Sequence, residues 1–95
     1  MRSVEVVYSG LIRSAVRSGS ESYDLDDQAT LRELLNEIVR RHGPQARRHL
    51  CDDAGGLASG ASILVDGFAA RDLDARFGDG GQVQVVVLSP MMIGG

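Results

Sequence analysis

The sequence predicts an α+β fold, a mixed sheet of four to five strands with one main helix packed across a single face. Three observations carry that expectation. Residues 3–11 alternate apolar and polar side chains, residues 30–43 form an amphipathic stretch with start and stop signals, and residues 82–88 are valine-rich after Gln82 and Gln84 at their start. At 95 residues the chain is long enough to bury a modest core without metal or disulfide staples. One domain is therefore expected over residues 1–95, with residues 89–95 as an extended tail.

Within residues 3–11, Val4, Val6 and Tyr8 alternate with Ser3, Glu5 and Ser9, the period of a half-buried strand. A polar, glycine-containing turn at 18–20 leads to a second strand over 21–26, with Tyr23 and Leu25 on one face. Two strands joined by a short loop suggest an antiparallel hairpin. Thr30 is a suitable helix N-cap, and Glu33 three residues later completes a capping box. Leu31, Leu34, Leu35, Ile38 and Val39 then share one helical face. Arg40, Arg41 and His42 put positive charge where it suits the helix dipole, and Gly43-Pro44 ends the helix. Pro44 can open a second short helix over 45–50.

A glycine-rich loop over 52–61 follows. It lacks the Lys-Ser/Thr ending of a phosphate-binding loop and is not read as a nucleotide cradle. Residues 63–65 read as a short strand, and Asp66-Gly67 as a hairpin turn into Phe68 and Ala69. Asp79-Gly80-Gly81 reads as the turn before the valine-rich strand, whose continuous β-branched run suits a central position. First and last strands are expected to pair in parallel there, through a right-handed crossover. The residues after Leu88 would then leave from a rigid anchor.

Composition excludes several classes. Ten basic residues face 13 acidic ones, net −3, and no aromatic platform interleaves the arginines, so a nucleic-acid partner is not expected. Every basic side chain is arginine; without lysine the chain cannot accept isopeptide bonds on its own side chains. Cys51 is the only cysteine, which excludes an internal disulfide, and beside Asp52 and Asp53 it reads as structural. Nothing resembles a signal peptide, and the longest apolar run, 85–88, is too short for a bilayer. No membrane partner and a cytoplasmic location are expected. His42 and His49 have no carboxylate or cysteine at ligand spacing, so capping or solvated roles are expected and no metal site. Arg40, Arg41, Arg47 and Arg48 read as a solvated face, with contact to a partner's acidic patch as the alternative, and the acidic stretch 24–27 as turn and helix-entry charge.

Gly94 and Gly95 carry the functional reading. Without Cβ atoms they adopt backbone angles closed to other residues and fit a channel too narrow for them. A free carboxylate on Gly95 is inert until activated, so such a terminus suits a partner enzyme that grips the chain end and reacts there. The helix opening A-T-L-R-E-L-L at 29–35, I-L-V-D-G at 63–67, G-D-G-G-Q-V-Q-V-V-V at 78–87 and the tail S-P-M-M-I-G-G occur in that order. With them the chain resembles the MoaD/ThiS family of ubiquitin-like β-grasp sulfur carriers over essentially its whole length.

The resemblance implies a specific chemistry. An E1-like adenylyltransferase of the MoeB/ThiF type would use ATP to adenylate the Gly95 carboxylate. Persulfide sulfur would then displace AMP, and a sulfur-accepting synthase subunit would use the resulting thiocarboxylate. Gly95 and Gly94 are thus the reactive terminus, and Pro90, Met91, Met92 and Ile93 a tail that binds the partner; the alternative is that Met91, Met92 and Ile93 fold back onto the sheet as core. Adaptable thioethers suit insertion into a groove, and Pro90 biases the arm toward an extended shape. No cofactor would be bound by the chain itself; it would be a carrier and not an enzyme, since its residues offer no nucleophile–base pair.

Two departures bear on the pathway. Small subunits of molybdopterin synthase often carry two prolines before small residues, whereas Pro90 stands alone here before bulkier ones. Thiamin-type carriers are usually shorter and lack the insertion between Pro44 and Ser62. Molybdenum cofactor, cysteine, thiamin and natural-product pathways stay open, with the MoaD-like branch favoured on length and Pro90. The alternatives are a ubiquitin-like modifier conjugated to lysines of other proteins, a permanent synthase component, and a purely structural domain.

Overall fold

The computed structural model describes residues 2–58, 60–70, 72–77 and 83–88. The expected turn at 79–81 lies outside the described residues. β1 (Arg2–Ser9) buries Val4, Val6 and Tyr8 and leaves Ser3 and Ser9 outward, as its alternation requires. It pairs antiparallel with β2 (Ser20–Leu25), in a register that sets Val4 opposite Tyr23 and Val7 opposite Ser20.

The connection between these strands corrects the expected short loop. β1 stops at Ser9, short of the predicted Leu11, and α1 (Ile12–Val16) fills the gap. Gly10, at φ 87°, turns the chain out of the strand. Ile12 and Val16 then lie one helical turn apart and both are buried, so packing holds a helix too short to stand alone. Arg17, at φ 56°, ends it.

α2 (Leu31–His42) follows its sequence signals at both ends. Thr30 Oγ1 accepts the Glu33 N–H at 3.3 Å, and Gly43, at φ 83°, returns its N–H to the Val39 carbonyl. Leu31, Leu34, Leu35 and Ile38 are buried on one face. α3 (Pro44–Leu50) starts at the predicted proline and buries Ala46 and Leu50. β3 (Ser62–Val65) turns through Asp66 and Gly67, both at positive φ, into the two-residue β4 (Phe68–Ala69).

β5 (Val83–Leu88) completes the described sheet, whose strand order is β2-β1-β5-β3-β4. It runs parallel to β1, from Val4 opposite Val83 to Ser9 opposite Leu88, and antiparallel to β3. The expected central parallel pair is therefore present. The core joins Val4, Val6, Tyr23 and Ile63 of the sheet to Leu34 and Ile38 of α2, Leu50 of α3 and Ile12 of α1.

Arg32 secures the segments that α2 does not cover. Its N–H bonds the Leu73 carbonyl at 2.7 Å, its Nε reaches Asp74 Oδ1 at 2.8 Å, and its Nη1 reaches the Gly55 carbonyl at 3.0 Å. In the glycine-rich insertion, Asp52 Oδ1 accepts the N–H groups of Ala54 and Gly56 at 2.9 and 2.8 Å, closing a compact turn.

Candidate functional site

Pro90, Met91, Met92, Ile93, Gly94 and Gly95 lie outside the described residues. The structure does describe the place from which they continue. Leu88 is held between Ser9 of β1 and Ser62 of β3, so the chain enters residues 89–95 from the hydrogen-bonded middle of the sheet. α1 begins three residues after Ser9 and packs on α3, which puts both short helices at that end of the fold.

A polar cluster reaches inward from this end: Tyr8 precedes Ser9 on β1, Glu21 lies opposite Val6, and Tyr23 opposite Val4. Glu21 Oε1 accepts from Tyr8 Oη at 2.7 Å and Tyr23 Oη at 3.0 Å, and lies 2.6 Å from His42 Nε2. The two hydroxyls approach each other at 3.2 Å. Each hydroxyl has one proton, so with both donated to the carboxylate their mutual contact is not a third full bond. Arg41 adds an Nη1–Oε2 contact of 3.7 Å to Glu21 and lays its guanidinium 3.9 Å from the Tyr23 ring centre. The cluster thus ties β1, β2 and the last turn of α2 together.

Electrostatics follow from that geometry. Burial opposes ionisation of Glu21, but hydrogen bonds from Tyr8, His42 and Tyr23, with the His42 charge, outweigh it and hold the carboxyl below its ordinary range. Burial, then the Tyr23 and Glu21 hydrogen bonds, push the Tyr8 phenol far up. Tyr23 is likewise raised, chiefly by burial. Both phenols stay neutral donors at physiological pH, and the cluster is a positioning element with no nucleophile in it.

Sequence reasoning missed this cluster. It expected His42 to cap or face solvent, whereas its side chain is 14 % exposed and engages Glu21. Arg41, expected to be solvated, stacks on Tyr23. The available signal was two tyrosines at inward strand positions, because a buried hydroxyl requires a partner. Glu21 stands two residues before Tyr23, on the same strand face. Cys51 is half-buried, and burial foremost pushes its thiol up, with Arg47 opposing and Asp52 adding to the effect. Among the described residues no group of three metal-ligating side chains occurs, and no helix is long and apolar enough to cross a membrane.

No family model matches the chain, and no curated protein matches it. Solved structures do. The small archaeal modifier protein 1 of Haloferax volcanii is 21 % identical, with a TM-score of 0.82 over 96 % of this chain and 100 % of that one. A candidate subunit 1 of molybdopterin converting factor from Pyrococcus furiosus is 23 % identical, with a TM-score of 0.73 over 96 % and 100 %. A chain of the BexX/CysO complex of Amycolatopsis orientalis is 22 % identical, with a TM-score of 0.68 over 97 % and 99 %. At such identities the likeness is one of fold. The small α+β fold of this chain is shared with these structures, in line with its resemblance to the MoaD/ThiS family.

Proposed function

We propose that this protein is a cytoplasmic sulfur carrier whose reactive group is the Gly95 carboxylate. An E1-like enzyme of the MoeB/ThiF type supplies the ATP site. The carboxylate oxygen attacks the α-phosphorus of ATP, pyrophosphate leaves, and the acyl-adenylate forms. A persulfide sulfur then attacks the carbonyl carbon and expels AMP, and a thiol releases the thiocarboxylate by cleaving the S–S bond. A sulfur-accepting synthase subunit consumes it in cofactor or metabolite biosynthesis, and a MoaD-like role as small subunit of molybdopterin synthase is favoured. The chain acts as co-substrate, with Gly94 admitting close approach and Pro90, Met91, Met92 and Ile93 entering the partner's groove.

The observation that carries this reading is the parallel β1–β5 pair, which roots the segment leading to Gly94-Gly95 in the centre of a β-grasp sheet. The test is the intact mass after incubation with the E1-like enzyme of the same genome, ATP and a persulfide source. A gain equal to one oxygen-to-sulfur exchange, absent from a chain lacking Gly95, is the expected result. No gain with an activator shown to be competent on its own substrate refutes it. The likeness to a small archaeal modifier supports a second reading, conjugation to lysines of other proteins. Gly-Gly remnants on lysines of cellular proteins, lost when Gly95 is deleted, would establish it.

A further inference from the structure

Charge is unevenly spread along this chain. Residues 10–20 and 38–51 hold six of the 10 arginines and none of the 13 acidic residues. The fold brings these two stretches together, because α1 packs on α3 and α3 on α2. Two of the six are engaged: Arg40 with Glu37, and Arg41 with Glu21 and the Tyr23 ring. Arg13, Arg17, Arg47 and Arg48 are exposed and make no ion pair among the described residues. Between α1 and α3 runs a shallow cleft lined by Ser14, Ala15, Gln45, Arg48 and His49. Arg48 lines this cleft, Arg13 stands on α1 and Arg17 caps it, so among the described residues these unpaired arginines lie towards the end of the sheet where β5 hands over to residues 89–95.

We propose that the α1–α3 face, through Arg13, Arg17 and Arg48, docks a carboxylate-rich surface on the protein that processes the chain end. This rests on the function proposed above and adds to it the chemistry of the partner. Unpaired guanidiniums fit carboxylates in bidentate geometry, and a single-sign patch beside the reacting segment steers encounter so that the end arrives oriented. A polynucleotide fits less well, since no exposed aromatic side chain lies on α1 or α3 and the rest of the chain is acidic.

The test compares wild-type protein with the R13E/R17E/R48E and R13Q/R17Q/R48Q variants as substrates for the E1-like enzyme, following ATP-dependent pyrophosphate release. All three positions are exposed and outside the core, and both variants retain the reactive tail. The proposal expects KM to rise about tenfold or more in the charge reversal at low salt, with kcat within about twofold. Wild-type KM should climb with ionic strength while that of the glutamine variant stays flat. Unchanged KM in both variants overturns the proposal, as does a loss confined to kcat. Competition by single-stranded RNA at low micromolar concentration, dependent on the same arginines, also overturns it by making the face a polyanion site. Absence of pyrophosphate release from the wild type refutes the carrier function itself and the docking face with it, a result distinct from an active wild type with insensitive variants.

Discussion

Glu21→Ala should be among the most damaging substitutions of a charged residue in this protein. The Glu21 side chain is 17 % exposed and one of its oxygens serves Tyr8, Tyr23 and His42. Without it, the two hydroxyls can bond each other across their 3.2 Å approach, leaving one phenolic proton and the His42 Nε2 without a partner. Each of the two groups so stranded costs about 1–3 kcal/mol, so a loss of roughly 2–6 kcal/mol is expected. For a domain of this size that lowers Tm by roughly 10–30 °C. Calorimetry of wild type, Glu21→Ala and Glu21→Gln over a pH series measures it. Because the folded carboxyl titrates below its ordinary value of 4.5, its contribution is complete above that value. It fades as pH falls through the depressed value, so the wild-type acid limb should be steeper than that of Glu21→Gln. A Glu21→Ala protein within about 0.5 kcal/mol of wild type, or identical acid limbs, would refute the reasoning.

Thr30→Ala removes the oxygen that accepts the Glu33 N–H and should cost about 1 kcal/mol of stability, read from denaturant midpoints at constant slope. Arg32→Ala frees two segments at once. Amide exchange should accelerate around Gly55 and over 72–75 while β1 and β2 keep their protection, and uniform protection in the variant would contradict the anchoring role.

Local signals made much of this fold legible. Thr30, Glu33, Gly43 and Pro44 bound the main helix because capping is chemistry between near neighbours in the chain. The valine run at 83–88 predicted its own central place, since only a strand flanked on both sides accommodates it. α1 escaped because its five residues show no capping side chain, and only burial of Ile12 and Val16 in the finished core holds them helical. The Glu21 cluster escaped for a related reason. It joins residues 13 and 21 positions apart, and such meetings depend on strand register and helix length, which periodicity does not report. The reading of Pro90 to Gly95 rests on Gly94-Gly95 and the resemblance they complete, and these residues lie outside the described structure, which ends at Leu88 in the paired centre of the sheet.

The parallel pair also fixes an order of events during synthesis. β1 meets β2 early, but its other edge stays bare until residues 83–88 arrive, almost the full length of the chain later. β3 waits for the same strand. A product cut short before that point carries two open strand edges, the feature that invites aggregation and draws chaperones and proteases. The sheet can therefore close only once the last described strand has been made.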